Sequence, residues 1–376
     1  MKEMSMKKTI DLQAYSMTFA LIGIWVFFYI VSKGIFLAPR NISNLSIQMA
    51  VTAILTTGMV LVIVSGNIDL SVGSLMGMLG GFAAILQVNY RFGTFATIVI
   101  TLLIGLMVGA FQGVIISYLR VPAFIVTLGG LLAYRGVLLG ITQGRTISPM
   151  NPSFVPMGQS YIGNPYSTII AVFVAGLMAY SAFKSVKKEK NSSIVFKALK
   201  IGIIPLIILF YTFVINTYRG IPVAVLIMVG TIAVFHVIAK DTTFGRSIYA
   251  IGGNEEAALY SGIKIKRILL GVFLLQGLLS ALGGMVLAAR LNAGTISAGQ
   301  SLEMDVIAAA VIGGTSLAGG KGTVSGAILG ALVMASLDNG MSIMNVDAFW
   351  QMILKGAILV IAVYIDVVNT ERKKSV

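Results

Sequence analysis

The chain has no cysteine and a single histidine, His236, among 376 residues. The lack of cysteine excludes disulfides, thiolate zinc sites and thiol catalysis, and one imidazole cannot build a multi-histidine metal centre. Charge is scarce too, at 11% of residues against 57% hydrophobic. That leaves too little polar surface to cover a water-soluble globule, so the solvent for most of the chain is lipid. The net charge of +14 does not point to nucleic acid, because the basic residues sit in short connections between apolar runs, where they set orientation.

At roughly 20 apolar residues per span, a chain of this length holds about ten to twelve helices. Apolar runs between charges and turn residues fall at 14–33, 45–64, 70–88, 94–117, 121–142, 167–184, 198–216, 221–239, 268–289, 304–319, 323–344 and 348–367. The expected fold class is all-α, a polytopic transmembrane helical bundle forming one domain over 1–376. The stretch from Tyr15 to about Leu37 is longer than the core of a signal peptide and lacks a small-residue cleavage site, so it reads as a retained first helix. The run 304–319 is short and rich in glycine, and 121–142 carries Arg135; each is open to being a broken or re-entrant element.

With the N-terminus taken as cytoplasmic, 19 of the 27 lysines and arginines fall in inside connections and six outside, while Arg135 and Lys355 lie within spans. This bias predicts both termini inside and an even number of spans. The inside segments are then 1–13, 184–200, 240–267 and 368–376. The 184–200 connection is a lysine run with no distinctive pattern. The 240–267 connection alternates apolar and polar residues, and a Gly252-Gly253-Asn254 turn opens a segment, Glu255–Tyr260, whose acids suit a helix N-terminus. It is read as a short surface helix presented to a cytoplasmic partner.

The 42 glycines include several at small-residue spacing within spans: Gly73, Gly77, Gly80 and Gly81; Gly105, Gly109 and Gly113; Gly326 and Gly330. Close packing of membrane helices accounts for that spacing. The stretch Gly313–Thr323 (GGTSLAGGKGT) superficially resembles a phosphate loop, but Thr315 stands where the first glycine is required, and Gly322 follows Lys321 in place of Ser or Thr. Any ATP-driven work must therefore come from another polypeptide.

Asp69 and Ser71, in SGNIDLSVGS, lie at a span boundary, where they form either a helix cap or a gate or partner contact. Asp305, Asp338, Arg135 and Lys355 are ionisable groups in or near spans, which implies ion pairing or the lining of a wet path. Uncharged polar groups within spans are Asn44, Gln48, Thr52, Thr56, Thr57, Gln112, Gln276 and Asn339. They suit either hydrogen bonding between helices or a route for a neutral polyol. An ion-driven secondary transporter would favour paired intramembrane acids, whereas Asp305 and Asp338 look isolated in the sequence. A membrane enzyme would need a catalytic cluster, and none is visible.

Four blocks in order, SGNIDLSVGSLMGMLGGFAAI, VPAFIVTLGGLLAYRGVLLGIT, TTFGRSIYAIGGNEEAALYSGI and AAAVIGGTSLAGGKGTVSGAILGALVMASLDNGMSIM, resemble the permease subunits of the ribose, xylose and galactose class of bacterial ABC importers. The likeness runs from about Asn41 to Asp366. GQSYIG at 158–163, the enlarged middle region through 200 and YRGIP at 218–222 resemble the xylose members in particular. The resemblance implies a homodimer working with a cytoplasmic sugar ATPase subunit, which holds the ATP and magnesium, and with an external sugar-binding protein. It implies no cofactor or metal in this chain, and lipid as its surroundings. It also implies a coupling loop at 240–267 docking on the ATPase through Gly252, Gly253, Asn254, Glu255, Glu256 and Ala258. The sugar expected is a monosaccharide, with a leaning toward xylose over ribose, arabinose or galactose.

Overall fold

A computed structural model describes residues 12–187 and 194–374. In hydrocarbon every backbone N–H and C=O must be satisfied within the segment, so apolar runs become helices. The helices are α1 (Leu12–Val31), α2 (Pro39–Val64), α3 (Val72–Val88), α4 (Thr94–Ser117), α5 (Ala123–Thr142), the single turn α6 (Pro156–Gln159), α7 (Tyr166–Lys187) and α8 (Ile194–Asn216). They continue with α9 (Val223–Asp241), α10 (Thr243–Gly253), α11 (Glu255–Tyr260), α12 (Ile265–Leu291), α13 (Leu302–Ile312), α14 (Val324–Ile343) and α15 (Ala348–Lys374). Among the described residues, eight helices are long and apolar enough to cross a membrane. The chain is an all-α polytopic membrane protein.

Local chemistry sets several boundaries. Pro39 occupies the first turn of α2, where its missing N–H costs nothing. Thr323 accepts a hydrogen bond from the Gly326 N–H at 3.0 Å and opens α14. Asn292 stops α12 in the left-handed conformation. The expected run 304–319 is only partly helical: α13 ends at Ile312, and the glycines after it carry an irregular segment. The run with Arg135 is one continuous helix, α5. The N-terminal segment 1–11 and residues 188–193 of the 184–200 connection lie outside the described residues, and α15 continues as helix through most of 368–376.

Helix α2 is the axis of the bundle, with 94% of its most apolar stretch buried. It packs against α9, α12, α13 and α14, and the core includes Ile54, Leu55, Met59, Leu61 and Ile63. Helices α4 and α12 are in close backbone contact: a Cβ at Gly277 would overlap the carbonyl oxygen of Gly105. The small-residue spacing at Gly105 and Gly109 thus does what membrane packing requires of it. Helix α1 docks on α14 through the Trp25 indole, which donates to Ser336 Oγ at 2.9 Å. Helices α7 and α8 pair mainly with each other, and their outward faces, with Phe173, Phe183, Leu206 and Phe210, are exposed and apolar as lipid demands.

One end of the bundle gathers the α2–α3 connection, α10, α11, the 313–323 segment and Asp366. The opposite end holds the two-residue strands β1 (Tyr161–Ile162) and β2 (Ile221–Pro222), paired antiparallel, with Ile147 bridged to Gly294 and Gln159 donating to the Arg290 carbonyl.

Candidate functional site

The 240–267 connection folds as two helices. The Thr242 hydroxyl accepts from the Gly245 N–H at 3.0 Å and caps α10, and Asn254 Oδ1 accepts from the Ala257 N–H at 2.9 Å and caps α11. The turn expected at Gly252-Gly253-Asn254 is narrower than its sequence suggests. Both glycines are still helical, and the break comes at Asn254 alone, with φ of −163°. Burial of Ile248 and Ile251 seats α10 on the bundle, and that tertiary contact overrides the weak helix propensity of the glycine pair.

The six residues of this block divide by direction. Gly252 and Ala258 face the bundle, while Gly253, Asn254, Glu255 and Glu256 face outward. The outward group extends to Leu259 and Tyr260, the latter 88% exposed. Sequence reasoning took Tyr260 only as the end of the helix; an aromatic beside an acidic turn on a surface element was the available signal. Tyr249, on the inner face of α10, donates from its hydroxyl to the Gly322 carbonyl at 2.8 Å, and burial pushes its phenol above the usual value, which keeps that proton in place.

The uncharged polar residues of the spans fall into separate groups. Asn339 Oδ1 accepts from Asn41 Nδ2 at 2.7 Å and its own Nδ2 donates to Gln48 Oε1 at 3.4 Å, joining α14 to the outer part of α2. Asn44, nearby, is exposed. Thr56 and Thr57 return their hydroxyls to the carbonyls of Thr52 and Ala53 one turn earlier. Gln276 is 1% exposed, and neither its amide oxygen nor its nitrogen has a hydrogen-bond partner.

Asp69 is fully buried and ties three elements together. Its Oδ1 accepts from the Ser71 N–H at 2.8 Å and from the Ser71 hydroxyl at 2.6 Å, and Ser71 Oγ accepts from Gln112 Nε2 on α4 at 2.8 Å. The carboxylate closes the turn that leads into α3 rather than capping the helix itself, and its Oδ2 is unpartnered.

The ion pairing expected of the intramembrane charges is present at Lys355, although which groups pair could not be read from the sequence. Lys355 Nζ stands 2.8 Å from Asp305 Oδ2 and 2.9 Å from Asp338 Oδ1, so the two acids expected to be isolated share one ammonium. This corrects that expectation: α13, α14 and α15 each contribute one member. Arg135 Nη1 donates to the carbonyls of Ile296 at 2.8 Å and Ala298 at 3.1 Å. It braces the irregular 292–301 segment against α5. The Ala298 carbonyl lies against Gly77, eleven residues before the end of α3, which puts it about 16 Å below that end. Ser297 and Gln300 are exposed at this depth. Among the described residues no group of three or more His, Asp or Glu side chains is placed to hold a metal ion.

Residues 41–363 match the family model described as branched-chain amino acid transport system / permease component. The chain belongs to this permease family. It is 46% identical over 375 residues to the xylose transport system permease protein XylH of Escherichia coli K12, covering 97% of this chain and 94% of that one. It is 44% identical over 370 residues to the XylH of Haemophilus influenzae Rd, covering 97% and 99%. The ribose import permease RbsC of Bacillus subtilis 168 is 33% identical over 356 residues, covering 94% and 92%. No solved structure matches.

Proposed function

We propose that this chain is the membrane-spanning permease subunit of an ABC importer for xylose, working as a homodimer in the bacterial inner membrane. The observation that carries the reading is likeness to two xylose permeases over 97% of the chain, at 46% and 44% identity, against 33% for a ribose permease. The ATP and magnesium belong to a partner ATPase on the cytoplasmic side, and an external binding protein delivers the sugar. The end carrying α10 and α11 is the cytoplasmic one, in keeping with the lysine and arginine bias, and both termini lie on that side. The capped α10–α11 pair, with Glu255, Glu256, Leu259 and Tyr260 outward, is the ATPase-docking element.

The route for the sugar runs along the 292–301 segment. Irregular polar backbone at membrane depth is tolerated where it faces water or protein. Ser297 and Gln300 offer hydroxyl and amide groups to a neutral polyol without a strong charge, and a second copy set against this face supplies the other wall. Asn44, Gln48 and Asn339 sit nearer the outer mouth and Thr52 lies midway along α2, while Gln112, Asp69 and Ser71 brace the entry of α3.

Proteoliposomes holding this chain, its ATPase and its binding protein should take up labelled xylose, with unlabelled ribose, arabinose and galactose competing poorly. Equal competition by ribose would overturn the assignment of the sugar. Failure of the chain to copurify as two copies in detergent would overturn the homodimer.

A further inference from the structure

The stretch Gly313–Thr323, which does not meet the phosphate-loop pattern, uses its backbone in another way. Ser316 N–H donates to the Lys321 carbonyl at 3.0 Å and Gly319 N–H to the Ser316 carbonyl at 3.0 Å, closing a compact turn. Gly320, at φ of +70°, donates its N–H to the carbonyl of Val64 at the end of α2, at 2.9 Å. Tyr249 of α10 donates to Gly322, and Asp366 of α15 accepts from Ser316 Oγ at 3.2 Å and Leu317 N at 3.1 Å. Thr323 caps α14. Parts of α2, α10, α14 and α15 therefore converge on one segment that is continuous with α13.

The contact with α10 is made backbone to backbone. A Cβ at Gly252 would overlap the Val64 carbonyl oxygen and crowd the Gly320 nitrogen. Contacts of this kind have no flexible side chain to absorb a displacement, because packed interiors transmit strain. From this hub α13 runs 11 residues, about 16 Å, to Leu302, where the segment braced by Arg135 begins.

We propose that residues 313–323 are the transmission element that carries movement of α10 and α11 into α13 and the mid-membrane segment. Tyr249 and Gly252 are its positioning residues, required for transport and dispensable for ATP hydrolysis and for holding the ATPase. The inference rests on the importer reading given above. It assigns a role to the glycine-rich motif and separates two functions within the α10–α11 element: outward residues dock, and inward residues transmit.

The test uses the complete complex, with chain, ATPase and binding protein, in proteoliposomes. ATP hydrolysis and labelled xylose uptake are measured on the same vesicles for wild type, Gly252→Ala, Tyr249→Phe and the control Gly230→Ala. A Cβ at Gly230 meets nothing within 4 Å. Gly252→Ala is expected to lower xylose taken up per ATP hydrolysed at least tenfold. Tyr249→Phe should lower it about two- to tenfold, the worth of one hydrogen bond. In both, ATPase copurification and hydrolysis stay near wild type.

If Gly252→Ala yields no complex, Tyr249→Phe decides. An unchanged ratio of uptake to hydrolysis in Tyr249→Phe would overturn the proposal, as would uptake and hydrolysis falling in proportion. Wild-type complex that hydrolyses ATP and moves no sugar would instead sink the importer reading, and the proposal with it.

Discussion

Replacing Lys355 with methionine removes the one cation that, among the described residues, pairs with Asp305 and Asp338, and it keeps most of the side-chain volume. The ammonium lies 2.8 Å from Asp305 and 2.9 Å from Asp338, and the two carboxylate side chains are 6% and 32% exposed. Breaking a buried pair by deleting one partner costs about 3–5 kcal/mol, because the remaining charge stays buried without compensation. The Asp305 contact falls in that class. Asp338 is exposed enough to contribute about 1 kcal/mol or less. Lys355→Met is thus expected to destabilise the protein by about 3–5 kcal/mol. Asp338→Asn should cost far less, because it leaves Lys355 matched to a single carboxylate. The double variant Lys355→Met with Asp305→Asn should recover most of the loss, the positive coupling expected of residues in direct contact. The assay is reversible unfolding of the purified chain in mixed micelles, followed by circular dichroism. The reasoning fails if Lys355→Met unfolds at the wild-type midpoint, or if the double variant loses the sum of its single changes.

Other consequences follow from the same geometry. Glu255→Lys combined with Asn254→Ala removes the α11 cap and reverses an outward charge, so it should abolish ATP-dependent uptake while size-exclusion behaviour stays normal; undiminished uptake with ATPase still copurifying would refute the docking role. Arg135→Ala frees the 292–301 segment and should cut uptake at least tenfold, whereas Arg135→Lys, which can still reach one carbonyl, should retain part of it; equal loss in both would refute the claim that a single retained carbonyl contact holds the segment. Gly277→Val drives a branched side chain into the Gly105 carbonyl and should destabilise the α4–α12 contact by about 1–3 kcal/mol, read as a lower unfolding midpoint in detergent.

Much of this was legible in the sequence because lipid imposes simple rules. Apolar length fixed α2, α4 and α14 to within a few residues at most ends, and the acidic first turn after Asn254 gave α11 from Glu255 to Tyr260. The Gly252-Gly253 pair misled, because propensity reads two glycines as a break while the seat against Val64 and Gly320 holds them helical. The Lys355 triad was hidden for a different reason. Its members lie 17 and 50 residues apart on three helices, and no periodicity reports how helices are rotated against one another. Arg135 was recognised as a charge in a span, but its partners are carbonyls, which sequence does not display. The 292–301 segment falls between the expected spans 268–289 and 304–319, and polar residues after a helix end read the same whether the chain stays at the surface or dips.

The central claim is tested most directly by the energy source. Vesicles containing this chain with its ATPase and binding protein should accumulate labelled xylose only when ATP is supplied to the side carrying α10 and α11. Imposed proton or sodium gradients should have no effect. Accumulation by this chain alone, driven by either gradient, would contradict the account.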